Sequence, residues 1–170
     1  MPEYIVNDKS INKFYLNKRY HGYKLPVPIC KERIFMAKAL KHLLVKYKNR
    51  VVLVYFPTII LQSKIAKKIK CDYLINSKVE NRDVIVNKLR KMKNGVIFTT
   101  TVLERGITIN GVQVVVYDAG NSLFDKSTLI QIAGRVGRSK ECPGGDVIFL
   151  CKEKSKEIIS AIKSLRQANE

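Results

Sequence analysis

The sequence lacks the features of a metal-binding, secreted or membrane protein. Its four cysteines include no Cys-x-x-Cys pair and only two histidines accompany them, which argues against a zinc site; the thiols are Cys30, Cys71, Cys142 and Cys151. No apolar run approaches the length of a membrane span, and the first residues carry no apolar signal-peptide core. These absences favour free thiols in a reducing, cytoplasmic compartment, with no membrane insertion.

Acidic residues are also scarce. The 14 Asp and Glu residues are outnumbered by 32 Lys and Arg residues, which gives a formal net charge of +18. A field of this size on a small protein favours a polyanionic partner, and nucleic acid is the first candidate. The alternative is that a Lys-rich, Ile-rich composition reflects codon bias and solvated faces, so the charge supports a nucleic-acid partner without deciding it.

The 170 residues are enough for one compact domain with its own core. Short apolar runs rich in β-branched residues predict five strands, at Val51–Phe56, Asp72–Ile75, Val96–Thr100, Val112–Asp118 and Asp146–Cys151. Helical patterns lie between them, which predicts an α/β fold: a mainly parallel sheet with helices on both faces and ligands at the carboxyl ends of the strands. Ser77 and Glu80 form a candidate capping box ahead of one helix.

The first 29 residues differ from the rest of the chain. Pro26 and Pro28 flank Val27, aromatic residues are frequent, and no long helical period is present. Residues 1–29 are therefore predicted to form a linker or short N-terminal extension, and residues 30–170 the folded domain.

The most informative stretch is Gln-Ile-Ala-Gly-Arg-Val-Gly-Arg, at Gln131–Arg138. The pattern predicts a helix over about Lys126–Ser139, with Gly134 and Gly137 in its interior. Each interior glycine costs a helix about 1 kcal/mol relative to alanine. The two glycines therefore need a reason, such as the close approach of a ligand or of another backbone.

The arginines of this stretch indicate which ligand that is. Arg135 and Arg138 stand three residues apart, on one face of the predicted helix, where two guanidinium groups can reach a single phosphate. Gln131, one turn earlier, can reach the same site. The alternative is a solvated basic helix end whose glycines merely terminate the helix.

Hydroxyl groups follow two of the predicted strands. The stretch Val96–Ile107 ends its strand in three threonines and continues through a short turn to Gly106. Hydroxyls and backbone amides at the end of a strand can bind the phosphates of a nucleic-acid backbone, and such contacts have no base preference. Thr58 follows its strand in the same way. The alternatives are that threonine is a common strand residue and that Thr58 is the N-cap of the next helix.

The strand Val114–Asp118 is similar to the Mg²⁺-binding strand of a P-loop ATPase. The chain, however, contains no Gly-x-x-x-x-Gly-Lys-[Ser/Thr] loop. We therefore do not assign Asp118 as a metal ligand, and we predict no metal site in this chain. By itself the chain has no evident means of cradling the β- and γ-phosphates of a nucleotide or their Mg²⁺.

The order of these stretches resembles motifs IV, V, Va and VI of superfamily 2 helicases, over residues 51–151. The stretches are the surroundings of Thr58, Thr-Thr-Thr-Val-Leu-Glu-Arg-Gly-Ile, Val-Val-Val-Tyr-Asp-Ala-Gly and Gln-Ile-Ala-Gly-Arg-Val-Gly-Arg. Within that superfamily the chain is similar to the late-competence DNA-uptake ATPase family, the ComFA-like proteins. The likeness lies in Leu-Glu-Arg-Gly-Ile-Thr, in the Pro-Gly-Gly-Asp-Val-Ile-Phe that follows the last motif, and in Arg19–Pro28. The primosomal helicase family is second.

The resemblance implies a RecA-like fold and a role for each motif residue. Arg135 and Arg138 correspond to arginine fingers, and the residues implied in the nucleotide cleft are Gly106, Gln131, Arg135 and Arg138. The hydroxyls implied to hold nucleic-acid phosphates are those of Thr58 and Thr100. Thr108 stands where many relatives have an Asp that touches the ribose, so that contact is not carried over.

The resemblance also implies partners that the chain does not contain. The family's N-terminal half brings the P-loop, the acidic Mg²⁺ motif and, in the competence proteins, a Cys-rich zinc module. The chain is thus predicted to be the C-terminal half of an ATP-dependent DNA helicase or translocase acting on single-stranded DNA, with ATP and Mg²⁺ bound only in the full-length protein. The fragment alone is expected to be inactive. The alternatives are a non-catalytic basic nucleic-acid-binding module with a RecA-like shape, and an inert α/β interaction domain.

Overall fold

The computed structural model describes residues 22–101 and 108–170. Strands and helices alternate along these ranges. The strands are β1 Ile29–Glu32, β2 Val51–Tyr55, β3 Tyr73–Ile75, β4 Gly95–Thr99, β5 Gln113–Tyr117 and β6 Val147–Cys151. The helices are α1 Met36–Lys46, α2 Ile59–Ala66, α3 Arg82–Arg90, α4 Lys126–Ala133 and α5 Lys156–Gln167. The five predicted strands are confirmed.

The described strands form one sheet in the order β1-β6-β5-β2-β4-β3, and every neighbouring pair is parallel. Strand β2 lies in the middle, with Tyr55 opposite Thr99 of β4 on one side and Val116 of β5 on the other. Because parallel strands all end at the same side of a sheet, the loops after β4, β2 and β5 emerge next to one another. We call this side the carboxyl edge.

The side chains of the strands alternate between two cores. Helices α1 and α2 cover the face that contains Val52 and Val54, whereas α3, α4 and α5 cover the face that contains Val51 and Leu53. Burial on both faces explains why these strands are continuously apolar rather than alternating. The predicted α/β class, with helices on both faces, is confirmed, and all pairings are parallel rather than most of them.

Strand β1 was not among the predicted strands. It is a four-residue edge strand that begins directly after Pro28 and pairs with β6, so the predicted boundary at residues 29 and 30 falls on its first two residues. Residues 22–28 contact the end of the last helix: the Leu25 N–H donates to Asn169 Oδ1 at 2.8 Å, and Asn169 Nδ2 donates to the Leu25 carbonyl at 2.9 Å. Residues 1–21 lie outside the described residues.

The prediction that Ser77 and Glu80 form a capping box at the start of α3 is wrong. Its N-cap is Asn81, in a left-handed conformation with φ 54° and no side-chain cap. The polar side chain that organises the preceding loop is buried Asn76, whose Oδ1 accepts from the Lys78 N–H at 3.0 Å. Asn76 Nδ2 in turn donates to buried Gln62 Oε1 at 3.0 Å, which ties the end of β3 to α2.

Two further expectations concern thiols and membranes. The four cysteines are free. Burial raises the pKa of Cys151 to about 12, so this thiol stays protonated at neutral pH.

Over residues 22–101 and 108–170, no helix is both long and apolar enough to cross a bilayer.

Candidate functional site at the carboxyl edge

The threonines after β4 lie where this strand meets β2. The Phe56 N–H donates to the Thr99 carbonyl at 2.8 Å, so the two strand ends are held together just beyond their last paired residues. Thr99 Oγ1 donates to the Thr100 carbonyl at 2.9 Å. Both threonine side chains are buried. Thr100, whose hydroxyl is predicted to bind phosphate, therefore directly follows the end of β4 that is held against β2.

Thr58 lies after the adjacent strand end and begins α2. Its backbone is extended, with φ −137° and ψ 154°, and its Oγ1 accepts from the Leu61 N–H at 3.1 Å. The N-cap interpretation is thus confirmed. A capping hydroxyl uses its oxygen as an acceptor, and its hydrogen can still donate to a phosphate. Capping and phosphate binding are therefore compatible at Thr58.

Helix α4 ends earlier than predicted. Its last residue is Ala133, and Gly134 is the C-cap. Beyond it, the Arg135 and Val136 N–H groups bond three residues back, to Ile132 and Ala133, in a tightened last turn. Gly137 then adopts φ +65°, a left-handed conformation that stops the helical path. The prediction of a helix through Ser139 is wrong: α4 ends at Ala133, so Gly134 and Gly137 both lie beyond it rather than in its interior.

This ending separates the two arginines that the sequence placed on one helix face. The Arg135 side chain is buried, at 7% exposure. Arg138 is exposed, and its Nε donates to the Gly134 carbonyl at 2.9 Å. Gln131 is also exposed, and its Nε2 donates to Ser127 Oγ at 3.3 Å. The prediction that Arg135 and Arg138 share one helix face is therefore wrong. Arg138 and Gln131 face solvent, whereas Arg135 does not.

Asp125 sets the start of α4. Its Oδ1 accepts from the Thr128 N–H at 2.7 Å, and hydrogen bonds from Thr128 hold the pKa of the Asp125 carboxyl below its ordinary value. The charged form also interacts favourably with the helix N-terminus. Sequence reasoning did not single out this aspartate, although Asp ahead of a helical pattern is a capping signal.

Loss of this cap should be visible in a pH dependence of stability. Because the folded-state pKa of Asp125 is lowered, its contribution is complete above the ordinary pKa of 3.8 and is lost as the pH falls through the folded value. We expect Asp125→Ala to lower the free energy of unfolding by about 1 kcal/mol at neutral pH. Urea unfolding should show that deficit shrinking in acid. Asp125→Asn, which keeps a capping oxygen, is the control, and a deficit of equal size in acid would contradict this role.

Gly145 supports the arginine segment from another loop. It has φ +152°, and a Cβ there would lie 2.6 Å from Val136 Cγ1 and 3.0 Å from the Val112 carbonyl. Val136 stands between Arg135 and Arg138 and is fully buried. The available signal was the Pro-Gly-Gly-Asp that follows the last motif, to which sequence reasoning gave no structural role.

The sequence also singled out Asp118, Thr108 and Gly106. Asp118 has φ 57°, and its Oδ2 accepts from Asn121 Nδ2 at 3.2 Å. Thr108 is exposed. Gly106 lies outside the described residues. Among the described His, Cys, Asp and Glu side chains, no group of three or more is placed to hold a metal ion.

Comparisons with known proteins bear on this arrangement. Residues 36–140 match the model of the helicase conserved C-terminal domain. The chain is 35% identical to competence protein ComFA of Bacillus subtilis over 72% of this chain and 27% of that protein. It is 33% identical to competence protein ComFA of Streptococcus pneumoniae over 94% of this chain and 41% of that protein. The chain thus spans between a quarter and two fifths of the length of these relatives.

Solved structures agree on the fold. The chain superposes on the structure of S. cerevisiae Dbp5 bound to RNA and ADP BeF3 with a TM-score of 0.65 and 20% identity, over 92% of this chain and 42% of that one. It also superposes on the C-terminal domain of the DEAD-box protein Dbp5, with a TM-score of 0.60 and 22% identity, over 85% of this chain and 83% of that one. The fold is the RecA-like fold of helicase C-terminal domains, as predicted.

Proposed function

Because this chain belongs to the helicase conserved C-terminal domain family, we propose that it is the C-terminal RecA-like half of an ATP-dependent DNA helicase or translocase. The observation that carries the proposal is that one parallel sheet positions all the motif segments: the threonines lie at the ends of neighbouring strands β4 and β2, and the arginine segment lies at the opposite edge, where Val136 contacts the starts of β5 and β6. Thr100 follows β4, Thr58 follows β2, and the segment with Arg138 follows β5 through α4. One rigid sheet thereby joins the hydroxyl side and the guanidinium side.

The guanidinium side acts on ATP. A second RecA-like domain, with a P-loop, presents the nucleotide and its Mg²⁺ across a cleft, since this chain has no P-loop of its own. As water attacks the γ-phosphorus and ADP leaves, negative charge on the phosphoryl oxygens and the bridging oxygen is neutralised by arginine N–H donors. Exposed Arg138 makes that contact directly. Gln131 borders the same cleft, and Gly106 and Arg135 complete the set that the family resemblance implies.

Arg135 contributes from a buried position. Arg135 is 7% exposed and precedes fully buried Val136 in the chain. A buried arginine has little side-chain freedom left to lose on binding, whereas the exposed arginine is the first to meet a phosphate. The two arginines are therefore proposed to differ in what they add: Arg135 adds stability and positioning, and Arg138 adds the contact with the reacting phosphate.

The hydroxyl side holds the nucleic acid. Thr58 and Thr100 donate to the phosphates of a single strand that runs along the carboxyl edge, and such contacts fix its position without reading its bases. The formal charge of +18 adds a sequence-independent attraction. DNA is proposed over RNA because of the likeness to the competence proteins.

Coupling between the two sides follows from the shared sheet. Closure of the second domain on ATP pulls on the segment after β5, while the hydroxyls lie after the two next strands of the same sheet. Hydrolysis then alternates tight and loose grips on the strand, which produces movement along it. In this proposal the protein uses ATP and Mg²⁺, is cytoplasmic and is not inserted in a membrane.

The experiment measures the affinity of the full-length protein for labelled single-stranded DNA, with a non-hydrolysable ATP analogue and with ADP. We expect the two affinities to differ about tenfold, a usual size for coupling between sites. Thr100→Val should lower the affinity in the analogue state by about tenfold, since a hydrogen bond to a charged group is lost. Thr58→Ser, which keeps both cap and hydroxyl, is the control. Equal affinity for DNA in the presence of the analogue and of ADP would instead favour the alternative of a non-catalytic nucleic-acid-binding module.

A further inference from the structure

The helices on one face of the sheet carry a layer of positive charge. This layer has no part in the function proposed above. No Asp or Glu stands between Glu32 and Asp72 in the sequence. The exposed cations in that interval include four on or just after α1 and four on or just after α2: Lys38, Lys41, Lys46, Lys48, Lys64, Lys67, Lys68 and Lys70. We call these eight lysines the basic face.

The two helices of the basic face lie side by side on the same core. Buried Leu40 and Leu43 of α1 belong to the same cluster as buried Ile65 of α2. Helix α1 lies against β6 and α2 against β4, with β5 and β2 between them. Strands β6 and β4 are three strand spacings apart, which is about 14 Å. The lysines thus form two parallel rows on the outer side of the helical layer.

General lysine enrichment does not account for this layer. The helices on the opposite face mix both signs, with Asp83 on α3 and Glu157 on α5. Within the described part of the chain, the basic face makes one ion pair, from Lys46 Nζ to Asp146 Oδ2 at 3.9 Å. A bias in composition would add lysine everywhere, and it would not remove carboxylates from one face.

We propose that the basic face binds the sugar–phosphate backbones of double-stranded DNA, at a site separate from the carboxyl edge. Two cationic rows, on helices that contact strands about 14 Å apart, suit the two backbones that border a major groove about 12 Å wide. Helices α1 and α2 contain no Phe, Tyr or Trp, so they offer no stacking platform of the kind that single strands use. The site does not depend on ATP or on the second domain.

The experiment compares two quadruple variants of the 170-residue chain. The test variant replaces Lys41, Lys48, Lys67 and Lys68 by Gln, which lie on the basic face away from Thr58 and Thr100. The control variant replaces four exposed lysines of the opposite side by Gln: Lys88, Lys91, Lys93 and Lys163. Each variant loses four positive charges, so the overall field falls equally in both.

Binding is measured with a labelled DNA duplex and with one of its strands, between about 50 and 200 mM salt. We expect the test variant to bind duplex at least tenfold more weakly than the control variant, and its slope of log affinity against log salt to fall by about 3. Single-strand affinity should fall equally in the two variants. A third variant with Arg at the four test positions should bind duplex as the unaltered chain does, which separates loss of charge from loss of fold.

Three results would overturn the proposal. The first is equal duplex affinity for the test and control variants, since charge would then act only as a diffuse field. The second is an equal loss of single-strand and duplex binding in the test variant. The third is selective loss of binding to phosphatidylglycerol vesicles with duplex binding unchanged, because the face would then recognise a lipid surface.

Discussion

Replacing Arg138 by alanine in the full-length protein should lower DNA-stimulated ATP turnover by about 10³-fold or more, the lower end of the effect of an arginine finger in GTPases. The side chain is exposed, and its Nε donates to the Gly134 carbonyl at 2.9 Å. Its removal opens no cavity, so the free energy of unfolding should change by no more than about 0.5 kcal/mol. Steady-state ATPase assays and urea unfolding measure the two quantities.

Three comparisons sharpen this expectation. Arg138→Lys should remain strongly impaired, because an ammonium group cannot reproduce the planar fork of donors. Lys140→Ala removes a nearby exposed cation and should leave turnover within about twofold, since a solvated charge contributes little. Arg135→Ala should lower both turnover and stability, because that side chain is buried. Near-normal turnover of Arg138→Ala would remove the arginine-finger assignment.

Replacing Gly145 by alanine should lower the free energy of unfolding by about 2–4 kcal/mol, which combines backbone strain with overpacking. Its φ of +152° is a conformation that only glycine adopts readily. A Cβ there would meet Val136 Cγ1 at 2.6 Å, the Val112 carbonyl at 3.0 Å and Gln113 Nε2 at 3.2 Å. Thermal or urea unfolding measures the loss.

The neighbouring glycine supplies the control. A Cβ at Gly144 would have no heavy atom within 4 Å, so Gly144→Ala should change stability by no more than about 0.5 kcal/mol. Val136→Ala removes one of the three contacts, and the combined Val136→Ala and Gly145→Ala variant should therefore lose less than the sum of the single losses. Equal effects at the two glycines would show that the loop does not support the arginine segment.

Much of the fold follows from local patterns. Strands β2, β5 and β6 are short, buried along their whole length and rich in Val, Ile and other apolar residues, and burial on both faces of a parallel sheet produces that composition. Strand β1 was missed because Ile-Cys-Lys-Glu is only half apolar and follows Pro28, and its pairing depends on β6, more than a hundred residues away. Edge strands are specified by such long-range pairing rather than by their own residues.

The candidate site was predictable in its residue types and less so in its geometry. The sequence indicated Thr58, Thr100 and the two arginines; the strand order brings the two threonines to one edge of the sheet, whereas the arginine segment lies at the other edge, beside the starts of β5 and β6. The end of α4 was not predictable from glycine spacing alone, because Gly134 continues the helical backbone while Gly137 reverses its φ. Arg135, between the two glycines, is buried, and Arg138, directly after Gly137, is exposed.

The loop that carries Gly145 shows a second limit. Glycine in Pro-Gly-Gly-Asp indicates a turn, but the reason for Gly145 lies in its contact with Val136, which belongs to another element. Similarly, buried Gln62 and Asn76 form a polar pair across two elements, which no local pattern predicts. Contacts between distant segments, rather than propensities, determine these positions.

The most direct measurement of the central claim, that this chain is one half of a nucleotide-hydrolysing site, is ATP hydrolysis by the 170-residue chain alone beside the full-length protein, each with single-stranded DNA. We predict background turnover for the chain and DNA-stimulated turnover for the full-length protein, because the arginines require a phosphate presented by a P-loop domain. Clear ATP turnover by the isolated chain would contradict the account.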